Sequence, residues 1–167
     1  LGARFWIPSV DEWIKAAYYD PNRYGQGIEG YWQQPNGTNT TLISDYPQNG
    51  GQTNAGSGVD IFSLMPVGQY PGTQSPWGLL DVSGGMIEWL EDPVDVLYSR
   101  DRQHAGSFQG QSLYMFRDPI DLVLRGGARA ADQALGIRLA AAIPAPGSVL
   151  ILSCSTLLLT TRRRNPT

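Results

Sequence analysis

Cysteine is almost absent. Cys154 is the only one in 167 residues, which excludes an internal disulfide and any paired-cysteine metal site built from this chain. Histidine is equally scarce, with His104 alone, so a two-histidine, one-carboxylate iron triad lacks its parts. Charge is sparse as well. Charged residues make up 16% of the chain and the net charge is −3, which gives no reason to expect nucleic acid as a partner. None of the three Gly-Gly pairs lies in a phosphate-cradling motif. Ser107 follows a glycine, but no Gly-x-Ser-x-Gly elbow surrounds it. Long apolar runs are missing until the last part of the chain.

Glycine, proline, tryptophan and tyrosine are plentiful: 20, 12, 5 and 8 residues respectively. At this length the chain builds one core, and the composition favours a loop-rich domain pinned by aromatics over a helical bundle. Ser9-Val-Asp-Glu12 is a capping box, preceded by Pro8 and followed by Val10, Trp13, Ile14 and Ala17 at helical spacing. It predicts a helix from Val10 to Tyr19, stopped by Asp20-Pro21-Asn22, with Glu12 as the reciprocal half of the cap. Residues 31–58 are dense in Asn, Gly, Thr, Gln and Pro and read as loop. Asn36-Gly-Thr38 and Asn39-Thr-Thr41 fit the glycosylation sequon but are taken as turn residues. Short strands are expected at Val67–Tyr70, Met86–Leu90, Val94–Tyr98, Leu113–Phe116 and Leu122–Leu124. His104, beside Asp101 and Arg102, reads as a solvated or hydrogen-bonded loop histidine rather than a ligand.

The stretch that carries chemistry is Gly78-Leu-Leu-Asp81-Val-Ser-Gly84-Gly85-Met86-Ile87-Glu88-Trp89. Asp81 and Glu88 offer charged oxygens. Gly84 and Gly85 let the backbone bend far enough to turn the carbonyls of Gly84 and Met86 inward. A hard cation such as Ca²⁺ wants oxygens of both kinds. The plainer reading is a strand entered through a Gly-rich turn.

This stretch resembles the Gly-Leu-x-Asp-Met-x-Gly-Asn-Val-Trp-Glu-Trp element of the formylglycine-generating enzyme (sulfatase-modifying factor) family. Gly85 stands for the Asn and Ile87 for the first Trp. The helical segment Arg4-Phe-Trp-Ile-Pro-Ser-Val-Asp-Glu-Trp is similar to the family's Arg-Leu-Pro-Thr-Glu-Ala-Glu-Trp. Gly30-Tyr-Trp-Gln-Gln-Pro-Asn-Gly-Thr-Asn resembles a bacterial branch. The resemblance implies an α+β, C-type-lectin-like fold, loop-rich with short strands and few helices. It covers residues 1–142, as the C-terminal portion of a domain whose N-terminal part is absent here, so an uncovered core face is expected. By position, calcium ligands fall on Asp81, Gly84, Met86 and Glu88. A second calcium site, at a spacing shifted by one residue, falls on Asn54, Ala55, Asp60 and Phe62; solvated loop side chains are the alternative there.

Family members oxidise a substrate cysteine with O₂ through Cu(I) held by two thiolates, soft ligands suited to that ion. The thiolates follow an Arg-x-x-Gly-Gly-Ser-aromatic motif. Leu124-Arg-Gly-Gly-Ala-Arg129 matches it by letters, and Arg102-Gln-His-Ala-Gly106-Ser107-Phe108 by position relative to Gly136-Ile-Arg138. The second alignment leaves enough chain for an active-site segment, and it puts Gly110 and Met115 at the thiolate positions. Neither alignment supplies a cysteine, so no copper is expected.

Beyond Ala142 the chain turns to Ile143-Pro-Ala-Pro-Gly-Ser, an apolar run over Val149–Leu159, and Arg162-Arg-Arg164. That order reads as a short membrane segment with a positive cytoplasmic end, although shorter than a stable span needs. The alternative is a buried terminal element. Residues 143–167 resemble a PEP-CTERM sorting tail, with Pro144-Ala-Pro146 as its signature and Cys154 as apolar filler. The resemblance implies a bacterial protein, exported and membrane-associated or extracellular, handled by an exosortase-type processing enzyme. The expectation is a non-catalytic, calcium-stabilised domain that binds a surface, glycan or protein ligand. The alternatives are an oxidoreductase acting on protein cysteine, completed by residues outside this chain, and a truncated, inactive relative.

Overall fold

Ser9 starts the one α-helix among the described residues. Its hydroxyl accepts from the Glu12 amide at 3.3 Å, and Glu12 Oε2 accepts from the Ser9 amide at 3.0 Å. Two backbone donors that a helix start leaves orphaned are thereby satisfied. Glu12 also accepts from Trp6 Nε1 at 3.0 Å. These hydrogen bonds, the Ser9 amide first, lower the pKa of its carboxyl. The helix, α1, runs Val10–Tyr18, one residue short of the predicted end because Tyr19 is already extended.

The computed structural model describes residues 5–56, 59, 65–94, 101–109, 118–121, 124–128 (as backbone) and 135–142. The chain divides into two units, residues 6–140 and residues 1–5 with 141–167. The strands are β1 (Phe5–Trp6), β2 (Tyr19–Asp20), β3 (Gly30–Tyr31), β4 (Ile87–Pro93), β5 (Arg102–Ala105), β6 (Leu124–Ala128), β7 (Leu135–Ile137) and β8 (Ala140–Ala141). A 3₁₀ turn covers Pro47–Asn49.

Residues 6–140 contain a four-stranded sheet in the order β6-β5-β4-β7. β4 pairs antiparallel with β5, placing Glu88 opposite Ala105 and Trp89 opposite His104. On its other side β4 runs parallel to β7, with Glu88 opposite Gly136. The pleat sends successive β4 side chains to opposite faces, and Glu88 and Leu90 fall on the buried one. That face meets α1. Trp13, Ala17 and Tyr18 from the helix pack with Val82, Leu90 and Ala105, flanked by Val10, Ile14, Leu79 and Ile120. Each large apolar side chain buried there contributes about 1.5–3 kcal/mol. Gly106 has φ 83°, and a Cβ there would lie 3.3 Å from the Val82 carbonyl oxygen, so glycine suits the turn after β5. Asp92 at the end of β4 reaches the helix start, accepting from the Val10 amide at 2.6 Å, where an anion suits the helix dipole.

Several expectations change. Met86–Leu90 is the beginning of β4, but Val67–Tyr70 forms a turn rather than a strand. Its one glycine, Gly68, has φ 77° and its amide bonds to Asp81 Oδ2 at 2.8 Å, so the segment is tied to a loop and not to a ladder. Residues 31–56 are mostly loop, as read, although Tyr31 belongs to β3, which pairs with β2 in register Tyr19–Tyr31. His104 is not in a loop. It sits buried in β5, opposite Trp89 and on the sheet face away from Glu88 and Leu90. Val94 follows β4 outside any strand, and Leu124 opens β6; the rest of Val94–Tyr98 and Leu122–Leu124, with all of Leu113–Phe116, lies outside the described residues.

Candidate functional site

Glu88 is the centre of the site. A carboxylate on the buried face of β4 needs compensation, and it receives three donors. Trp13 Nε1 donates at 2.5 Å from the helix. Arg138, just past β7, donates from Nε to both carboxylate oxygens at 3.0 Å and from Nη2 to Oε1 at 2.7 Å. This forked, charge-assisted geometry is the strong form of a guanidinium–carboxylate pair. The same Nη2 reaches the Leu80 carbonyl at 3.1 Å, so one arginine ties the 78–88 loop to β4. Asp81 occupies the left-handed region at φ 56°, the only non-glycine among the described residues to do so. Aspartate tolerates that conformation better than most residues.

The Gly84-Gly85 turn touches Asn54, a residue of the second proposed calcium site. Asn54 Oδ1 accepts from the Gly85 amide at 2.7 Å, and Asn54 Nδ2 donates to Gln109 Oε1 at 3.3 Å. A Cβ on Gly84 would lie 2.1 Å from Asn54 Oδ1, and its φ is 78°, so only glycine fits. Ala55 forms a bridge with Gln109. Asp60, Phe62, Gly110 and Met115 lie outside the described residues.

Beneath this turn runs a buried polar network that the sequence did not flag. Asp118 has no solvent exposure. Its two oxygens accept from Ser107 Oγ and Ser83 Oγ, each at 2.5 Å. Ser107 Oγ in turn accepts from the Gly84 amide at 3.2 Å, and Ser83 pairs with Thr53 Oγ1 at 2.7 Å. Tyr18 Oη donates to the Asp118 carbonyl at 2.7 Å. Burial pushes the Asp118 carboxyl up to about 6, against the opposing pull of the two serine hydroxyls. Burial also raises the Tyr18 hydroxyl, with the Asp118 charge adding to it. Ser107 is therefore a buried anchor of the Gly84 turn. Nothing in the sequence around Asp118 signals this, because its partners are 11 and 35 residues away.

A cavity of about 570 Å³ opens over these groups. Its polar lining includes Asn54, Asp81, Ser83, Glu88, Gln109 and Arg138, and Met65, Val67, Leu79, Met86 and Ile137 supply apolar surface. Val67, Met86 and Ile137 are exposed. This is the make-up of a ligand pocket, apolar with a few convergent polar groups. Gln109, in the lining, precedes Gly110 in sequence, one of the positions at which the family resemblance places a thiolate. Strands β5 and β6, which carry the two stretches competing for the Arg-x-x-Gly-Gly-Ser motif, are antiparallel neighbours.

Other motifs carry nothing further. Gly25-Gln-Gly27-Ile-Glu-Gly30 has the letters of a dinucleotide fingerprint, but it turns between the two-residue strands β2 and β3 and opens no helix. Asn36 Oδ1 accepts from Thr38 Oγ1 at 2.8 Å, as a turn residue does. Among the described residues no group of three or more His, Cys, Asp or Glu side chains is placed to hold a metal ion.

Among the described residues the architecture is that of a loop-rich α+β domain with one helix and short mixed strands. Residues 2–143 match the sulfatase-modifying factor enzyme 1-like domain, and the chain belongs to that family. A solved structure titled "Crystal Structure of CarF" is similar at 23% identity with a TM-score of 0.52, over 81% of this chain and 46% of that one. That likeness concerns the fold. The chain thus spans less than half of the structure it resembles. No curated protein matches it. With a single cysteine in the sequence, the paired-thiolate copper site expected of the family's oxidases is absent from this chain.

Proposed function

We propose that this chain is a non-catalytic, ligand-binding relative of the formylglycine-generating enzymes. One observation carries the reading: a cavity is lined in part by Gln109, while the sequence after it offers Gly110 and Met115 where thiolates would be needed. A pocket without its redox centre can hold a group but cannot activate O₂ by that chemistry. The ligand is a surface or matrix component. The Arg162–Arg164 tail argues for an exported product associated with a membrane and processed by an exosortase-type enzyme. These tail residues lie outside the described ones, and no helix among the described residues is long and apolar enough to cross a membrane.

Calcium belongs to the proposal in a restricted form. The oxygen-only donors suit a hard cation, and Asp81 with the carbonyls of Gly84 and Met86 would hold it. Glu88 is already neutralised by Arg138, so calcium must displace that guanidinium to recruit it. At the other candidate site, Asn54 Oδ1 is engaged with Gly85.

The 46% coverage of the similar structure favours one rival, an oxidase whose thiolates come from elsewhere in a longer protein. A Cu(I) titration of the intact protein against a chromophoric chelator separates the two. The proposed reading predicts no stoichiometric copper taken from the chelator. One tightly bound copper per chain would contradict it.

A further inference from the structure

The Glu88 cavity carries a charge that the fold around it does not balance. Its lining holds three charged side chains, Asp81, Glu88 and Arg138. Arg138 and Glu88 form a forked ion pair and cancel. Tyr70 adds no charge, because burial, with Asp45 helping, pushes its hydroxyl up to about 12. Asp81 is left over. Among the described residues its carboxylate accepts one hydrogen bond, from the Gly68 amide to Oδ2 at 2.8 Å, and joins no ion pair.

Four features select the occupant. A carboxylate without a counter-charge favours a cation over an anion. A quaternary ammonium calls for a cage of aromatic faces, and the lining has a single aromatic residue, Tyr70, which is buried. A guanidinium prefers to fork across both oxygens of a carboxylate, and here Oδ2 is already engaged. A compact ammonium needs only the oxygen that remains. The walls add a shape. Met65, Val67, Met86 and Ile137 line the same cavity, and an unbranched methylene stem lies along such aliphatic surface while its charged head stays with the polar group.

We infer that this cavity binds a primary ammonium on an unbranched alkyl stem, as a lysine side chain or a free alkylamine presents it, with Asp81 as the counter-charge. The inference rests on reading the cavity as a ligand pocket, and it names the chemistry of the ligand. Calcium would compete for the same carboxylate. Asp81→Asn isolates the charge. Asparagine tolerates the left-handed backbone at this position, φ 56°, and keeps an oxygen for the Gly68 amide.

The test is an NMR titration of the intact protein, with a calcium chelator present, against n-pentylamine and Nα-acetyl-lysine methylamide. The contrasts are n-pentanol and pentanoate, which share the alkyl chain. Binding of either amine at least about tenfold tighter than the alcohol and the acid, with a loss of at least about tenfold in Asp81→Asn, supports the inference. The tighter of the two amines then tells a protein lysine from a free alkylamine. Melting curves establish that the variant is folded. If it is not, Val67→Lys decides the matter, since it sets a competing ammonium at a lining position that is 91% exposed and is expected to weaken amine binding. No binding of either amine, equal binding of the alcohol, or binding unchanged in the folded variant overturns the inference. Such a failure, without copper uptake, leaves a non-catalytic relative with a different ligand, whereas stoichiometric copper removes the non-catalytic reading whichever amine binds.

Discussion

Asp118 shows most clearly what a single residue does here. Its carboxyl is raised to about 6 by burial, above the ordinary aspartate range near 4. The native state therefore keeps a proton that the unfolded chain has already released. The associated stabilisation is complete below about pH 4 and is lost as pH rises through about 6. A shift of this size corresponds to on the order of 2–3 kcal/mol. Asp118→Asn keeps a neutral, hydrogen-bonding side chain at every pH. Melting temperatures are accordingly expected to favour the wild type near pH 4.5 and to converge with, or fall below, those of the Asn variant near pH 7.5. A constant difference between the two across that range would show that Asp118 does not titrate as described. No sequence pattern could have identified this residue, because its hydroxyl partners Ser83 and Ser107 come together only through the fold.

At the scale of elements, the legible parts are those specified locally. The Ser9–Glu12 box set the start of α1, and Asp20-Pro21 set its end to within a residue, because caps and breakers act over one turn. The apolar run after Gly85 located β4. β5 and β7 were not recognised: Arg102–Ala105 is polar in letters, and Leu135–Ile137 is three residues held by pairing with β4. Hairpin β2–β3 hid inside a turn-rich stretch for the same reason. The Asp81–Glu88 stretch was legible as a turn leading into a strand, but the partner of Glu88 was not. Arg138 lies 50 residues downstream of Glu88, and its role is visible only once β7 is laid against β4. The Glu88–Arg138–Trp13 junction joins helix, sheet and loop. Arg138→Gln is expected to lower stability by about 1.5–3 kcal/mol in denaturant unfolding. On the proposed calcium reading, the same substitution frees Glu88, so calcium should raise the melting temperature of Arg138→Gln more than that of the wild type. Equal melting with calcium and with a chelator, in both proteins, would remove calcium from the account.

For the whole molecule, family and function part company. The fold follows the sulfatase-modifying factor pattern over residues 2–143, yet a scaffold does not carry its chemistry with it. What the family's oxidases need is two soft donors at one point. This sequence has one cysteine in total, Cys154, in the C-terminal apolar run. What the described residues do show is a cavity beside a buried, hydrogen-bonded polar network. On the proposed reading the domain binds a ligand, and the paired thiolates that thiol oxidation needs are not in this sequence. The direct check is mass spectrometry of a cysteine-containing substrate peptide incubated with the intact protein, Cu(I) and O₂. The account predicts that the cysteine is recovered without any copper-dependent formylglycine. Formylglycine produced over many turnovers per chain would contradict it.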